Sequence, residues 1–538
     1  MGRGRDYTLS RAMKNPPVRG IVFSWLGCVI ALCAAQALAA PVKFEVKFDE
    51  SVRAEPATGR LVIYLNKATL RGLMHKPADG FVEEDPQPIF GIDVSNLRAG
   101  ETIIVDDAAT AFPKKLSELP VGKYRAQAVL DMKNENSEWE RENGNLSSDV
   151  VTFDIATASL SPVKIELKHV AKEIEPKAKN VEFVTVRSQL LSDFQKRDVF
   201  LRAGVALPMK YDRNRSYPAV YEVPGYGGDH TMAVYKAARR ANRPKGSAAE
   251  EIAQNTFWIF LDPESPHGHT LCLDSDNNGP VGKALITELI PALEKRFNLI
   301  AEPSARIVTG HSSGGWSSLW LATEYPDVFG ACWSSSPDPV DFRRLELVDI
   351  YSSANMYTDA NGREYSGARF GGKITMTTRE ENGMEQVLGT HNNTQQQWDS
   401  WQACWGHRDS EGGVKPLFDA LTGEIDREEA ESYRRFDIAD RLRKDPKRFA
   451  PIFRDHIRLV CGENDTYFLN EAVGLLKADL EKVDPADRKL SRAGYIKLVP
   501  GDHQSVTDSG AMKAWAREMM DHLRQAGHVK TAATTRPS

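Results

Sequence analysis

The chain has 538 residues, of which 27% are charged and 41% hydrophobic, and its formal net charge at pH 7 is −5. This acidic balance argues against a nucleic-acid-binding protein, because contacts with phosphates need clustered basic residues. The length is sufficient for two or three domains with substantial hydrophobic cores.

The first 39 residues have the pattern of a secretory signal peptide. Five basic residues lie between Arg3 and Arg19, and an apolar run follows from Ile21 to Ala35. The run is short for a transmembrane span, and Ala37-Leu38-Ala39 fits a cleavage site. We therefore predict cleavage after Ala39 and a secreted, periplasmic protein without stable membrane insertion, retention as an uncleaved anchor being the alternative. Cleavage removes more basic than acidic residues, so the mature chain is more acidic.

Residues 40–165 are predicted to form a β-rich domain. Val42–Phe48 alternates strictly between apolar and polar residues, as a half-buried strand does. Further strands are predicted at Arg60–Leu65, Lys123–Leu130 and Asp149–Phe153. Short strands separated by turn signals are typical of a β-sandwich, here of immunoglobulin-like type. Such a domain packs against the rest of the protein, presents substrate or binds polymer, and the sequence leaves these roles open.

Residues 166–526 alternate between strands and helices, which indicates a mainly parallel sheet covered on both faces. Residues 341–450 interrupt this alternation and are predicted to form a lid. Residues 527–538 are predicted to be a disordered tail. The predicted strands are Pro218–Val223, Thr256–Leu261, Arg306–Thr309, Gly330–Trp333, Ile457–Gly462 and Tyr495–Val499, and the main predicted helices are Val281–Phe297, Gly315–Ala322, Leu469–Leu480 and Ala511–Leu523.

The pentapeptide Gly310-His311-Ser312-Ser313-Gly314 fits the pattern G-x-S-x-G between a predicted strand and a predicted helix. In that context a sharp turn exposes the serine above the sheet, and the glycines allow the close packing that the turn needs. Ser312 is therefore the predicted nucleophile, and a Ser-Gly turn without catalytic role is the alternative.

A serine nucleophile requires a base and a carboxylate that orients the base. The acid and the base are predicted in the loops after the last two strands. Asp465 is the expected acid, with Glu463 and Asp455 as competitors, and His503 is the expected base. The chain order of serine, acid and histidine is the order found in α/β-hydrolases.

Two backbone N–H groups are expected to stabilise the oxyanion. Ser313, next to the nucleophile, supplies one of them. The other is expected in the glycine-containing loop Pro224–Gly228, with Tyr226 as the donor and Gly227 as the alternative.

The predicted lid contains three tryptophans, Trp398, Trp401 and Trp405, preceded by three glutamines. Aromatic rings interleaved with amides suit the apolar faces and hydroxyls of sugars or phenolic groups. The predicted substrate-binding residues are Trp398 and Trp401 together with Gly227 and His311. The alternative is that the tryptophans only anchor the lid.

Neither a metal nor a cofactor is predicted. Asp274, Asp276, Asn278 and Gly279 imitate the start of an EF-hand loop, but the twelfth position is Leu285, where a bidentate glutamate is needed.

Four cysteines follow the signal peptide, and their pairing is not predicted: Cys272, Cys332, Cys404 and Cys461. Cys332 and Cys461 lie on predicted core strands, where buried free thiols are the expected state.

These motifs resemble those of the putative-esterase family of α/β-hydrolases, which includes esterase D-like, feruloyl, enterochelin-type and mycolyl-transferring members. The resemblance covers roughly residues 185–525, and it implies an α/β-hydrolase fold and a hydrolase or acyltransferase of carboxylic esters without metal or cofactor. Pro224 departs from the family pattern, because many members carry a histidine there, and so does the long insertion before the acid. The matching segments are Pro224–Gly228, Asp274–Pro280, Gly310–Gly315, Asp465 and Gly501–His503.

The sequence therefore predicts a secreted serine esterase for a small-molecule or glycan ester, of acylated-carbohydrate, feruloyl or siderophore-lactone type. An acyltransferase or a peptidase with the same triad is one alternative. A non-catalytic protein that binds a glycan or a siderophore is the other. The oligomeric state is left open.

Overall fold

The computed structural model describes residues 42–67, 87–133, 135–156, 161–390, 392–484 and 493–530. The predicted signal peptide and residues 531–538 of the predicted tail lie outside the described residues. His528 and Val529, which belong to the tail predicted to be disordered, pack against the protein instead. The side chain of Val529 is buried, and His528 Nε2 lies 2.9 Å from Ser304 Oγ.

The N-terminal strands are joined by hydrogen bonds into one nine-stranded sheet. Its order is β4-β1-β9-β7-β6-β2-β3-β5, and β8 pairs with the first half of β6. The strands are β1 (Phe44–Phe48), β2 (Ala57–Lys67), β3 (Ile89–Leu97), β4 (Ile103–Val105), β5 (Thr110–Phe112), β6 (Gly122–Asp131), β7 (Leu146–Ser148), β8 (Val151–Ile155) and β9 (Val163–Val170).

The first strand has the predicted alternation, with Phe44, Val46 and Phe48 buried and Lys47 exposed. The predicted domain boundary at residue 165 is wrong, because β9 crosses it and runs parallel to β1 over five residue pairs. A parallel partner comes from a distant segment of the chain, so no local pattern reveals it.

The second sheet has eight strands in the order β10-β11-β13-β12-β18-β19-β22-β23. Strand β11 is antiparallel to both neighbours, and the other five pairs are parallel, as predicted for an α/β-hydrolase. Three short hairpins lie outside this sheet. The strands are β10 (Val181–Ser188), β11 (Val199–Ala206), β12 (Ala219–Val223), β13 (Phe257–Leu261), β14 (Glu264–Ser265), β15 (Gly268–His269), β16 (Asp274–Ser275), β17 (Gly279–Pro280), β18 (Arg306–His311), β19 (Ala331–Ser335), β20 (Ser366–Phe370), β21 (Lys373–Thr377), β22 (Ile457–Gly462) and β23 (Tyr495–Val499).

Both faces of this sheet are buried. Tyr221 and Val308 belong to one hydrophobic core, whereas their neighbours Val220 and Ile307 belong to another, because successive side chains of a strand point to opposite faces.

The helices are α1 (Gln189–Gln195), α2 (Met232–Ala241), α3 (Ala248–Asn255), α4 (Val281–Ala284), α5 (Ile290–Phe297), α6 (Ser313–Glu324), α7 (Thr378–Leu388), α8 (Gln397–Trp405), α9 (Arg427–Ser432), α10 (Ile438–Lys444), α11 (Pro446–His456), α12 (Leu469–Val483) and α13 (Gly510–Gln525).

The predicted helix Val281–Phe297 is interrupted by a π-helical turn at Leu285–Leu289. Pro291 has no N–H to donate, and its ring clashes with the carbonyl four residues earlier. The wider turn accommodates both the missing hydrogen bond and the bulk of the proline ring.

The insertion also contacts the N-terminal sheet. Arg60 of β2 donates from Nε to the carbonyl oxygen of Val387 at 2.9 Å. Met384 and Val387 of α7 share a small core with Ile89 and Phe112. The N-terminal sheet therefore supports the helix that follows β21.

The four described cysteines are buried free thiols. For Cys332 and Cys461 this confirms the prediction, and Cys272 and Cys404, whose state was left open, are also unpaired.

Candidate active site

Ser312 lies in the turn between β18 and α6. Its backbone has φ 59° and ψ −127°, a conformation that is rare and strained for any residue except glycine. A Cβ atom on Gly310 would lie 2.0 Å from the carbonyl oxygen of Gly314, and one on Gly314 would lie 1.9 Å from that of Val223. Both glycines of the motif are therefore required by the close approach of β18, α6 and β12.

His503 and Asp465 form a buried pair at the carboxyl ends of β23 and β22. His503 Nδ1 lies 2.8 Å from Asp465 Oδ2, and the N–H of Tyr467 donates to Asp465 Oδ1 at 3.0 Å. Because Nδ1 faces the carboxylate, Nε2 is the ring nitrogen that can exchange a proton with a nucleophile.

The two competing acids lie elsewhere. Glu463 is exposed, and Asp455 forms an ion pair with Arg454 at 2.7 Å. Of these three carboxylates, Asp465 is the one that contacts His503 in the described part of the chain.

Ser312 and His503 line one cavity of about 190 Å³. Within the described residues, the Ser312 hydroxyl forms no hydrogen bond to His503, and such bonds often tighten only when substrate is bound. The cavity is lined by Gly225, Tyr226, His311, Ser312, Asp338, Glu346, Glu381, Gln397, Trp401, Tyr467, Leu469, His503 and Gln504.

The loop after β12 passes beside the nucleophile. A Cβ atom on Gly225 would lie 3.4 Å from Ser312 Cβ, and Tyr226 lines the cavity, whereas Gly227, the predicted substrate contact, does not. Ser313 is the first residue of α6, and the first N–H groups of a helix have no partner within it. Ser313 and the loop that contains Tyr226 thus both lie next to Ser312.

His311 also lines the cavity, as predicted for a substrate-binding residue. Its Nδ1 lies 3.0 Å from Ser335 Oγ, and its ring centroid is 4.5 Å from that of His503. Burial and the neighbouring His503 lower the pKa of His311 to about 3, so its ring is neutral at physiological pH and adds no charge beside His503.

The tryptophans of α8 divide into two groups. Trp401 lines the cavity, and its Nε1 donates to Asp338 Oδ2 at 2.7 Å. Trp398, predicted to contact substrate, is 1% exposed and does not line the cavity. Its ring packs 5.1 Å from that of Trp401 and 5.8 Å from that of Phe418. The expectation for Trp398 is wrong, because the helix turns its side chain into the core.

The loop Asp274–Pro280 holds the insertion in place and does not line the cavity. Asn277 Nδ2 donates to the carbonyl oxygen of Ala403 at 3.1 Å, and Asp276 forms an ion pair with Arg435 at 3.0 Å. Among the described residues, no group of three or more His, Cys, Asp or Glu side chains is arranged to hold a metal ion.

Three buried carboxylates of the cavity were missed by sequence reasoning. Asp338 follows β19, Glu346 follows the turn Phe342–Arg344, and Glu381 lies on α7. Burial raises the pKa of Asp338 to about 6 and of Glu381 to about 7, and it raises the pKa of Glu346 well above its usual value. The residues lie far apart in sequence, so only the fold brings them together.

We expect the free energy of unfolding to fall as pH rises from about 4.5 to about 7 through Glu381. The pKa of Glu381 is about 7 in the folded protein against an ordinary value of 4.5, so the folded state binds more protons in this window. Glu346 and Tyr467 face this carboxylate. Glu381→Gln should flatten the dependence of Tm on pH, whereas Glu411→Gln, at an exposed site of the insertion, should leave it unchanged. Equal slopes in Glu381→Gln and the unmodified protein would contradict this assignment.

Residues 200–525 match the model of the protein family described as "Putative esterase". The matched segment contains Ser312, Asp465 and His503. The chain belongs to this esterase family. Membership supports the hydrolysis of carboxylic esters as the activity and agrees with the α/β-hydrolase order of the second sheet.

Several solved esterase structures are similar to the chain. An S-formylglutathione hydrolase from Agrobacterium tumefaciens is 15% identical, with 65% of this chain and 98% of that chain covered and a TM-score of 0.37. A CE1 ferulic acid esterase from Anaeromyces mucronatus is 15% identical, with 64% and 93% covered and a TM-score of 0.31. A fluorophosphonate-binding serine hydrolase from Staphylococcus aureus is 13% identical, with 63% and 99% covered and a TM-score of 0.35. No curated protein sequence matches the chain.

In the described part of the chain, no helix has the length and apolar character needed to cross a bilayer.

Proposed function

We propose that this esterase uses Ser312, His503 and Asp465 as a catalytic triad. The observation that carries the proposal is the buried hydrogen bond from His503 to Asp465 at a cavity that Ser312 also lines. The strained turn at Ser312 adds support, because such backbone conformations persist where function requires them.

In the first step, Ser312 Oγ attacks the ester carbonyl carbon while His503 Nε2 accepts the hydroxyl proton. Asp465 orients the ring and stabilises its positive charge. The N–H groups of Ser313 and Tyr226 stabilise the oxyanion. The bond to the alcohol oxygen then breaks, and the proton on His503 passes to the departing alcohol, which leaves the acyl group on Ser312.

In the second step, a water molecule attacks the acyl-enzyme while His503 Nε2 accepts its proton. The acid is released when that proton returns to Ser312 Oγ. If an alcohol replaces water in this step, the same residues transfer the acyl group, which is the acyltransferase alternative. A peptidase would use the same steps with an amine as leaving group.

We propose that residues 341–450 form a lid that selects the substrate. Glu346, Glu381, Gln397 and Trp401 come from this segment and line the cavity. The Tyr226 hydroxyl donates to the carbonyl oxygen of Gln395 at 3.3 Å, which ties the lid to the oxyanion loop. The role proposed for the N-terminal sheet is to support the lid through its contacts with α7.

The proposed substrates are small-molecule or glycan esters of acylated-carbohydrate, feruloyl or siderophore-lactone type. The proposed location is the periplasm, on the strength of the signal-peptide pattern in residues 1–39. The alternative of a non-catalytic binding protein requires a triad that no longer reacts.

A fluorophosphonate probe tests this proposal directly. We expect the probe to label the protein at Ser312, because the reagent phosphonylates a serine only when a neighbouring base activates it. Mass spectrometry of the digested adduct locates the modified residue, and heat-denatured protein is the control. If the native protein is not labelled, the binding-protein alternative is favoured. If it is labelled, a panel of acetyl, feruloyl and lactone esters then identifies the substrate.

Trp401→Phe and Trp398→Phe should have different effects, although both residues lie on α8. Trp401→Phe removes the hydrogen bond that holds Asp338 in the cavity wall. It should raise KM for a bulky ester several-fold, which corresponds to about 1 kcal/mol of binding free energy. Trp398→Phe should lower Tm and leave KM nearly unchanged, because its ring lies in the core. Kinetics with a feruloyl ester and thermal melts of both variants provide the measurement. A larger KM effect from Trp398→Phe would contradict the division.

A further inference from the structure

The cavity beside Ser312 has an unusual electrostatic character. Asp338, Glu346 and Glu381 line it and are 2%, 1% and 2% exposed. No lysine or arginine occurs among the described residues that line it. Three acidic groups therefore face one small volume without a permanent cation in the wall.

Two of these carboxylates have an oxygen without a partner. Glu346 Oε2 and Glu381 Oε2 are buried and accept no hydrogen bond from an N–H or hydroxyl group of the described residues. The two carboxyl groups hydrogen-bond to each other when Glu346 is protonated, which raises the pKa of Glu346. Asp338 differs, because its Oδ2 accepts hydrogen bonds from Trp401 Nε1 at 2.7 Å and from Gln397 Nε2 at 3.4 Å. Among the three carboxylates, the unmet hydrogen-bonding capacity therefore lies at the two glutamates.

Burying carboxylates without a partner is unfavourable, because charge is removed from water and nothing replaces the solvation. Like charges that share a site add to this cost. The repulsion from Glu381 contributes to the raised pKa of Glu346. A cation held between the two groups would offset their repulsion, so that both could ionise, and would donate hydrogen bonds to them.

The aromatic part of the wall favours the same kind of ligand. Trp401, Tyr467 and Tyr226 line the cavity together with the two glutamates. Ammonium and guanidinium groups are attracted to the faces of aromatic rings as well as to carboxylates. A neutral hydroxyl can satisfy one acceptor oxygen but supplies no positive charge that would allow both carboxyl groups to ionise.

We propose that Glu346 and Glu381 bind a positively charged organic group of the substrate, an ammonium or a guanidinium, so that this esterase prefers cationic esters. The inference rests on the proposed function of Ser312, because it concerns the substrate of that site. The two glutamates act as specificity-determining residues in the lid.

Two pairs of substrates that differ in charge alone test the inference. Butyrylcholine and 3,3-dimethylbutyl butyrate differ in the alcohol part, and the methyl esters of Nα-acetyl-lysine and Nα-acetyl-norleucine differ in the acyl part. We expect the cationic member of at least one pair to have a kcat/KM about tenfold higher or more. The pair that shows the preference identifies the part of the ester that carries the charge.

Glutamine variants connect this preference to the two residues. Glu346→Gln and Glu381→Gln keep the size of the side chain and remove its charge, and each should reduce the ratio of kcat/KM between cationic and neutral esters severalfold. Glu264→Gln is the matched control, because Glu264 is also a glutamate with a buried oxygen that lacks a partner but does not line this cavity. It should leave the ratio unchanged, and Tm of each variant reports on folding.

Hydrolysis of p-nitrophenyl acetate separates the two levels of the proposal. If the unmodified protein hydrolyses this ester and shows no preference for the cationic member of either pair, the inference is overturned and the esterase function stands. If it hydrolyses no ester, the proposed function fails, and calorimetric titration of the protein with choline and with lysine amide decides the inference. Binding that Glu381→Gln weakens would support a cation site, and absence of binding to both compounds would overturn it.

Discussion

Replacing Ser312 with alanine should lower kcat/KM for p-nitrophenyl acetate by at least about a thousandfold. Alanine has no hydroxyl, so no acyl-enzyme can form. The fold should be retained, because both residues carry a Cβ atom and the strained backbone at φ 59° is unchanged. Activity and Tm measured on the same preparation separate a loss of chemistry from a loss of structure.

Ser317→Ala is a suitable control for this experiment. Ser317 lies one turn further along α6, where its hydroxyl donates to the carbonyl oxygen of Ser313 at 2.7 Å. It does not line the cavity, so the variant should retain most of the activity. Near-normal hydrolysis by a folded Ser312→Ala protein would show that another residue is the nucleophile.

Replacing Asp465 with asparagine should lower kcat by about four orders of magnitude. The carboxylate accepts a hydrogen bond from His503 Nδ1–H at 2.8 Å, which keeps the ring proton on Nδ1 and leaves Nε2 unprotonated. An asparagine amide can donate to Nδ1 instead, which places the ring proton on Nε2 and prevents that atom from accepting the proton of Ser312. Values of kcat for p-nitrophenyl acetate, measured for both proteins at the same pH, provide the test.

Glu463→Gln is the matched control for Asp465→Asn. Both changes remove one charge from the same loop, but Glu463 is exposed whereas Asp465 is buried against His503. The control should therefore have a mild effect. If Glu463→Gln proves the more damaging change, the orienting acid is not Asp465.

The elements that determine the position of the candidate triad could be predicted from local sequence. Strands such as Ile457–Gly462 and Tyr495–Val499 are short, apolar and bounded by turn residues, and the structure has them at the predicted residues. The turn at Ser312 could be predicted because the close approach of Gly310 to the backbone of Gly314 arises within one short segment of the chain. Periodicity and steric demand act over a few residues, so they can be read from the sequence.

The pairing of distant segments could not be read in this way. The predicted domain boundary at residue 165 cuts through strand β9, which belongs to the N-terminal sheet. Its partner β1 lies over a hundred residues away and the pairing is parallel, so no local pattern indicates it. The role of Trp398 was misjudged for a related reason. Its residue type suits substrate contact, but the rotation of α8 decides which tryptophan faces the cavity.

The sequence by itself thus determined the α/β alternation, the turn at Ser312 and the chain order of Ser312, Asp465 and His503, all of which depend on local spacing. Only the tertiary structure decided that His503 Nδ1 faces Asp465 and that Trp401, rather than Trp398, lines the cavity. It also brought together Asp338, Glu346 and Glu381 from three separate segments. Burial and mutual repulsion are properties of that shared volume, which no single segment of the chain contains.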